Sequence, residues 1–448
     1  MKTDILHRGP FTLRNIDISS FNGVSIDSRH IPGGHIFCAL KGEHSDGHLY
    51  VFAALKNGAT AALVNREYAL TASPDEPLII VEDTYKGLRD MAALYAKTFT
   101  MPVIAITGSA GKTSTRRLLS HVLRPHMRVA ETLKNYNNHI GLPLSILQMT
   151  GDEDIAILEM GTASIGEIRD LCGIIQPHYG LITTIANAHM GGFGSIENVQ
   201  KAKYELFDAV NRSGILFINQ DDPRIAAYPQ DMHKRVLYAL ENTADITLKI
   251  QSVDAEGCYI LSTDGTPIHL QSIGKGAAMN ATAVYAIAQT LGLEKDSIIS
   301  QIETFQATAG RGKIEHWHDI TFIDDTYNAN PLSVKNAIDA LKVMESSGRK
   351  IMVFADMLEM GIEAQSSHED IAYAVADSDI SHLLCYGKDS IYTVNKAREL
   401  AVPSAQHFQN KNEVAKSLLS IIKPGDIVLF KGSRGMAVED IISLIKDV

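Results

Sequence analysis

The apolar run Pro102-Val103-Ile104-Ala105 leads directly into Ile106-Thr107-Gly108-Ser109-Ala110-Gly111-Lys112-Thr113-Ser114-Thr115, and Leu118, Leu119, Val122 and Leu123 follow at helical spacing. A strand that turns through glycines into a helix dictates an α/β layer and presents backbone N–H groups at the helix start as an anion site. Gly108 and Gly111 allow the bend, and Ser109, Ala110 and Ser114 complete the loop. Lys112 would neutralise distal phosphates, and the Thr113 hydroxyl suits a Mg²⁺ ion. Ile106 stands where the longer form of this motif has its first glycine, so the loop is a shortened GxxGKT. The bland alternative is a Gly-containing turn with an exposed lysine. The strand before and the helix after favour nucleotide binding.

Length and composition suit a multidomain enzyme. The 448 residues suggest about three domains. A hydrophobic content of 45% with 21% charged residues is ordinary for a chain that buries real cores. The net charge of −11 argues against nucleic acid as the main partner. No apolar run approaches the roughly 20 residues needed to cross a bilayer, so no membrane insertion is expected. Met1-Lys2-Thr3-Asp4 opens no signal-peptide core, which makes the cytoplasm the expectation. Cys38, Cys172, Cys258 and Cys385 are scattered and read as reduced core thiols.

Strand-like and helix-like patterns alternate along the chain, the signature of α/β layers with a largely parallel sheet. The pattern divides into residues 1–83, 84–310 and 311–448, with Gly310-Arg311-Gly312 as a hinge. Expected strands are 35–40 and 61–64 in the first part, and 155–159, 179–185 and 214–219 in the second. The third part should carry strands at 320–323, 350–354, 382–386 and 426–430. Ligands in such sheets gather at the carboxyl ends of the strands.

Polar clusters fall at those ends. Glu159 closes the strand 155–159 and suits Mg²⁺ coordination, though a solvated or helix-capping carboxylate fits equally. His189 lies in a Gly-rich loop, where a surface role is the plainer reading. Lys203 looks by itself like a solvated helix lysine. Asn135, Asn137 and Asn138 could hydrogen-bond a polar ligand or simply form a turn. Arg311 could clamp a phosphate. The run Asp324-Asp325-Thr326-Tyr327-Asn328-Ala329-Asn330-Pro331 suits ribose hydroxyls or a cation. Lys431-Gly432-Ser433-Arg434-Gly435 suits an anionic group, with a basic surface turn as the alternative. Residue chemistry alone stops at a nucleotide-dependent α/β enzyme.

Taken together the motifs resemble the Mur ligase superfamily nearly from end to end. The resemblance is carried first by Asp27-Ser28-Arg29, Pro32-Gly33-Gly34-His35-Ile36-Phe37 and Ala39-Leu40-Lys41-Gly42-Glu43. It continues through Thr107 to Thr113, Asn135 to Asn138, Glu159-Met160-Gly161, Ala188-His189 and Ala202-Lys203. Gly310-Arg311-Gly312, Tyr327-Asn328-Ala329-Asn330-Pro331, Asp356 to Gly361 and Lys431 to Gly435 complete it.

The resemblance implies a three-domain architecture: a UDP-sugar-binding domain, a central ATP-binding domain and a Rossmann-like closing domain. The implied reaction joins D-alanyl-D-alanine to UDP-N-acetylmuramoyl-tripeptide (UDP-MurNAc-tripeptide) through an acyl phosphate, using ATP and Mg²⁺, with two ions expected, in peptidoglycan synthesis. By the same resemblance Lys112, Lys203, Glu159 and His189 would be catalytic, with Thr113, Glu159, His189 and a carbamylated Lys203 around metal. Asn280, Arg311, Asp325 and Asn328 would join the phosphate loop in holding nucleotide. Ser28, Arg29, Lys41, Gly42, Asn135, Asn137, Asn138, Lys431, Ser433 and Arg434 would bind the other substrates. A monomer is the family expectation. Three stretches depart from the family pattern: Gly191 replaces a glutamate, Gly276-Ala277 replaces a His-Asn pair, and Thr162-Ala163-Ser164-Ile165-Gly166 stands where relatives often carry Ala-Asn-His-Pro-Gly. An amide ligase for a different carboxylate and amine is the nearest rival reading, followed by a non-catalytic relative and a phosphate-loop motor.

Overall fold

The alternating pattern is realised as four sheets in a computed structural model that describes residues 3–16, 20–187, 190–229 and 233–447. The first domain carries a five-stranded sheet in the order Thr12–Arg14, Leu78–Val81, Ala61–Asn65, His35–Cys38, Gly23–Ser25. Its pairs are parallel except the first, which is antiparallel. The helix Thr84–Ala96 then runs toward the phosphate loop, capped by the Asp83 carboxylate accepting from the Lys86 N–H at 2.8 Å. Its buried Leu88 and Met91 share one continuous core with Ile36 and Leu63 of the first sheet and Val103 and Leu158 of the second. The first two domains are therefore fused through packing, not merely tethered.

The middle domain is a seven-stranded, wholly parallel sheet. Val103–Thr107 lies between Tyr179–Ile182 and Ile155–Glu159, and Val129–Glu131 forms the far edge. The chain steps outward from Val103–Thr107 to the edge, returns to Ile155–Glu159, and then crosses over to Tyr179–Ile182. A crevice opens at such a reversal, beyond the strand ends. Val103–Thr107 and Ile155–Glu159 are buried along their whole length, which explains their unbroken apolar character up to Thr107 and Glu159.

A three-stranded antiparallel sheet, Lys249–Val253, Cys258–Thr263 and Thr266–Ile273, follows the seven-stranded sheet and was not expected from the strand pattern. Its sequence signal was Asp264-Gly265, whose φ of 50° and 79° make the tight turn between the last two strands. The last domain holds a six-stranded sheet in the order Lys313–Trp317, Ile320–Asp325, Ile427–Lys431, Lys350–Ala355, Ile380–Tyr386, Ser404–Phe408. Only its first pair is antiparallel. The four expected strands of this domain are present with ends shifted by one or two residues; Lys313–Trp317 and Ser404–Phe408 are additions.

A second continuous core joins the middle and last domains, with Phe193 and Phe207 on one side and Phe354, Met357 and Met360 on the other. At its edge the Gly191 N–H donates to the Glu359 carbonyl at 3.1 Å. The four cysteines are free and buried, as the sequence suggested. Among the described residues no helix is long and apolar enough to cross a membrane.

Candidate active site

The phosphate loop owes its shape to two glycines. Gly108 has φ of 148°, and a Cβ there would lie 2.0 Å from the Thr183 hydroxyl oxygen. Gly111 has φ of 85° and immediately precedes the helix Lys112–Leu123. Without a side-chain cap at Gly111, the first N–H groups of that helix remain available to an anion. Neighbouring strand ends brace the loop: the Ser109 N–H donates to the Thr184 carbonyl at 2.8 Å, and the Ser109 hydroxyl to the Ala186 carbonyl at 2.8 Å. The Lys112 ammonium donates to the Gly108 carbonyl at 2.6 Å, and burial pulls its pKa down.

Glu159, 1% exposed, meets this loop from the adjacent strand. The Thr113 hydroxyl lies 2.9 and 3.1 Å from its two carboxylate oxygens, and the Asn137 amide donates to it at 2.8 Å. The Arg311 guanidinium reaches in from the last domain, donating to the Thr113 hydroxyl at 3.3 Å while stacking 3.7 Å over the Tyr327 ring. A second link across the same gap is the Asn330 amide donating to the Ser109 carbonyl at 3.3 Å. Asp325 pairs with Lys431 at 2.6 Å; burial raises the carboxyl pKa, and the ammonium only partly opposes it.

These groups border one cleft of about 1240 Å³ between the middle and last domains. Ser109 to Ser114, Glu159 and Asn280 line it from the middle domain, as do Asn135, Asn137 and Asn138. Arg311, Asp325, Asn328, Lys431 and Arg434 line it from the last domain. It is also lined by Leu270 to Ile273, Met279 and Phe305, residues on the antiparallel sheet or on and just after the helices that follow it. Gly276 and Ala277 also border the cleft, leaving its wall without large side chains there.

Three expected site residues also make bonds to backbone groups. Asn138 accepts from the Ile140 and Gly141 N–H groups at 3.1 and 2.9 Å, so it fixes a helix start. Lys431, 2% exposed, donates to the Asn328 carbonyl at 2.8 Å and holds Asp325. Ser433 is buried outside the cleft lining and accepts from the Leu358 N–H at 2.9 Å. Asn138 and Lys431 border the cleft as well, whereas Ser433 does not.

Ser28, Arg29, Lys41 and Gly42 lie in the first domain and do not border the cleft. One connection to them runs through Tyr85, whose hydroxyl donates to the Lys41 carbonyl at 2.9 Å. The Tyr85 ring lies 6.2 Å from that of His139, which does line the cleft. His189 falls outside the described residues.

Lys203 is 2% exposed, which overturns the solvated-helix reading. It has no hydrogen bond or ion pair among the described residues and does not line the cleft, whereas Lys112 and Glu167 beside it do. Burial, reinforced by the Lys112 charge, drives its pKa well below 10.5.

Comparison with known proteins now decides the family. Residues 20–103 match the Mur ligase family catalytic domain, 106–288 the Mur ligase middle domain, and 310–434 the Mur ligase glutamate ligase domain. The chain is 32% identical over 427 residues to UDP-N-acetylmuramoyl-tripeptide--D-alanyl-D-alanine ligase of Bacillus subtilis (strain 168), covering 94% of this chain and 92% of the relative. It belongs to the Mur ligase family.

The Escherichia coli (strain K12) ligase of the same name is 30% identical over 99% of this chain and 97% of its own. Among solved Mur ligases, MurF from Acinetobacter baumannii superposes with a TM-score of 0.85 at 26% identity, covering 98% of this chain and 100% of that one. MurF from Thermotoga maritima, solved in complex with ADP, gives 0.82 at 26% identity over 95% and 97%. The three-domain Mur ligase architecture therefore holds for this chain, with the three sheet domains in the order expected from its motifs.

Proposed function

We propose that the chain is an ATP-dependent ligase that adds D-alanyl-D-alanine to UDP-MurNAc-tripeptide in peptidoglycan precursor synthesis. The observation that carries this reading is the convergence of Lys112, Thr113 and Glu159 with Arg311 and Asp325 on one cleft between two domains. Relatives bearing that activity in their names match the chain over nearly its whole length. The proposed division is residues 1–83 for the UDP-sugar end, 84–310 for ATP, and 311–448 for closing over the nucleotide and receiving the dipeptide.

The chemistry needs a carboxylate to approach a triphosphate, so anionic oxygens must be neutralised first. Lys112, the loop N–H groups and Arg311 supply that charge. A substrate carboxylate oxygen bonds to the γ-phosphorus as the bond to the β-phosphate oxygen breaks, giving an acyl phosphate and ADP. The dipeptide amine then attacks the acyl carbon, the C–N bond forms, the amine proton is lost and phosphate leaves. Burying the cleft between two domains keeps water from the acyl phosphate. Asn135 and Asn137 would face the acyl-bearing substrate, Arg434 the dipeptide, and Ser28, Arg29, Lys41 and Gly42 the nucleotide-sugar end. Asn280, Asp325 and Asn328 would hold the nucleotide.

A hard cation fits here. Among the described residues no three His, Cys, Asp or Glu side chains converge as a cage, yet Mg²⁺ on nucleotide phosphates needs only one or two protein oxygens. The Thr113 hydroxyl and Glu159 carboxylate would hold it, with His189 as a further candidate. Bound there, Mg²⁺ would neutralise charge developing on the transferred phosphate. The depressed pKa of Lys203 keeps a fraction of neutral amine that can add CO2. The resulting carbamate would be an anion beside Lys112 and would serve as a ligand for a second ion. With substrates of this class the enzyme would work in the cytoplasm, and the resemblance to its family supports a monomer.

The test is phosphate release from ATP and Mg²⁺ with each substrate alone and with both, following product by mass. A UDP-linked pentapeptide formed only with both supports the reading. Silence with this pair, from enzyme that binds ATP, points to a different carboxylate and amine.

A further inference from the structure

Arg116 lies on the phosphate-loop helix, one turn beyond Thr113, and is only 2% exposed. A buried guanidinium is costly unless its charge and its N–H groups are answered. Two separate elements bond this one, and a third lies close by. One terminal nitrogen pairs with Glu131, at the end of the edge strand Val129–Glu131. The other donates to the Lys134 carbonyl at 3.1 Å, at the start of the Asn135 to Asn138 segment. The Nε points toward Glu159, 3.5 Å from its carboxylate, yet remains a buried N–H without an acceptor.

That mixed arrangement has a chemical consequence. A guanidinium free to turn would take Glu159 in a bidentate pair and occupy both of its oxygens. Glu131 and the Lys134 carbonyl hold it back, so Glu159 keeps its bonds from Thr113 and Asn137. The same anchor fixes the backbone that leads into Asn137.

We propose that Arg116, clamped by Glu131, is a positioning residue that sets Glu159 and the Lys134 to Asn138 segment against the phosphate loop. One buried charge thereby orients both a cation-binding oxygen pair and the segment facing the acyl-bearing substrate. The inference rests on the ligase reading of the cleft, but its first readout is metal binding, which requires no acyl transfer.

The experiment titrates Mn²⁺ into the enzyme–ADP complex, monitoring free Mn²⁺ by electron paramagnetic resonance, for wild type, Arg116→Lys and Glu131→Gln. Arg116→Lys keeps the charge and loses the planar fork; Glu131→Gln keeps the shape and loses the clamp. Mn²⁺ affinity should fall about tenfold in each, the usual scale for a partner behind a metal ligand. ADP affinity measured in EDTA should stay within twofold, and the KM for UDP-MurNAc-tripeptide should rise more than kcat falls. Unchanged Mn²⁺ affinity in the folded variants overturns the proposal. So does an equal loss of Mn²⁺ binding and metal-free ADP binding, which would mean simple collapse of the loop. If Arg116→Lys does not fold, the near-isosteric Glu131→Gln carries the test by itself. Should the ligase reading fail instead, wild type would release no phosphate with both substrates while the Mn²⁺ shifts persisted.

Discussion

Two arginine–carboxylate pairs in this chain have the same chemistry and opposite settings. Arg29 and Asp27 in the first domain meet at 2.8 Å with side chains 82% and 43% exposed. Arg116 in the middle domain faces Glu159 at 3.5 Å with side chains 3% and 2% exposed. The outer pair is the closer, yet water already solvates both of its ions, so closeness adds little. The inner pair has no water to fall back on, so each N–H and oxygen must be accounted for. Distance alone is a poor guide to which pair matters; burial decides how much a change costs.

The sharpest way to break the comparison is at the buried end. Lys112→Met should lower turnover by roughly 10³-fold, the scale for deleting a group that neutralises transition-state charge. Its ammonium bonds only the Gly108 carbonyl within the loop, so folding should survive; phosphate release and a thermal melt check both halves. Full activity would remove the loop lysine from the reaction.

Lys203→Met should also cost about 10²-fold or more in turnover, as loss of a buried charged ligand would. Its stability should move the other way. The pKa of Lys203 is depressed in the folded state, so the unfolded chain binds the extra proton between that lowered value and 10.5. Wild-type stability therefore rises with pH through this window. The methionine variant, in CO2-free buffer, should be the more stable at neutral pH, with the gap closing toward pH 10.5. A melting midpoint that drops at neutral pH would contradict a net cost of burying this ammonium, to which the Glu167 charge is only a partial answer.

Arg311→Ala tests the link between domains. It removes a bond to Thr113 and the stack on Tyr327, and should reduce turnover about tenfold with a smaller change in melting midpoint. Steady-state kinetics with saturating dipeptide would read it. Arg29→Ala should be mildest: no resolvable shift in melting midpoint, and a KM for the UDP-linked substrate raised a few-fold at most. A large stability loss there would show the exposed pair to be structurally important and erase the contrast.

Much of the fold was legible because parallel strands buried on both faces leave continuous apolar runs. Ile155–Glu159 stands where its pattern places it, and Val103–Thr107 begins one residue into the run from Pro102. The antiparallel sheet leaves a weaker pattern, although Asp264-Gly265 marks its turn, because Lys249–Val253 is largely exposed and the other two strands bury only a few residues each. The loop residues of the site were legible because glycine spacing dictates local backbone shape. Arg116 carried no local signal, since an arginine on a helix is ordinarily solvated. Ser433 and Lys431 sat in the right motif, but their polar atoms turn inward to bond backbone.

The sequence by itself determined the phosphate loop, the α/β layering and the set of motifs, because these depend on neighbours a few residues apart. Tertiary structure alone decided that Lys203 is buried and that Glu159 lies between Thr113 and Asn137. It also decided that Arg311 arrives from a different domain. Those outcomes follow from how sheets pack and how much water is excluded, and desolvation is a property of a place in the fold that no residue carries with it.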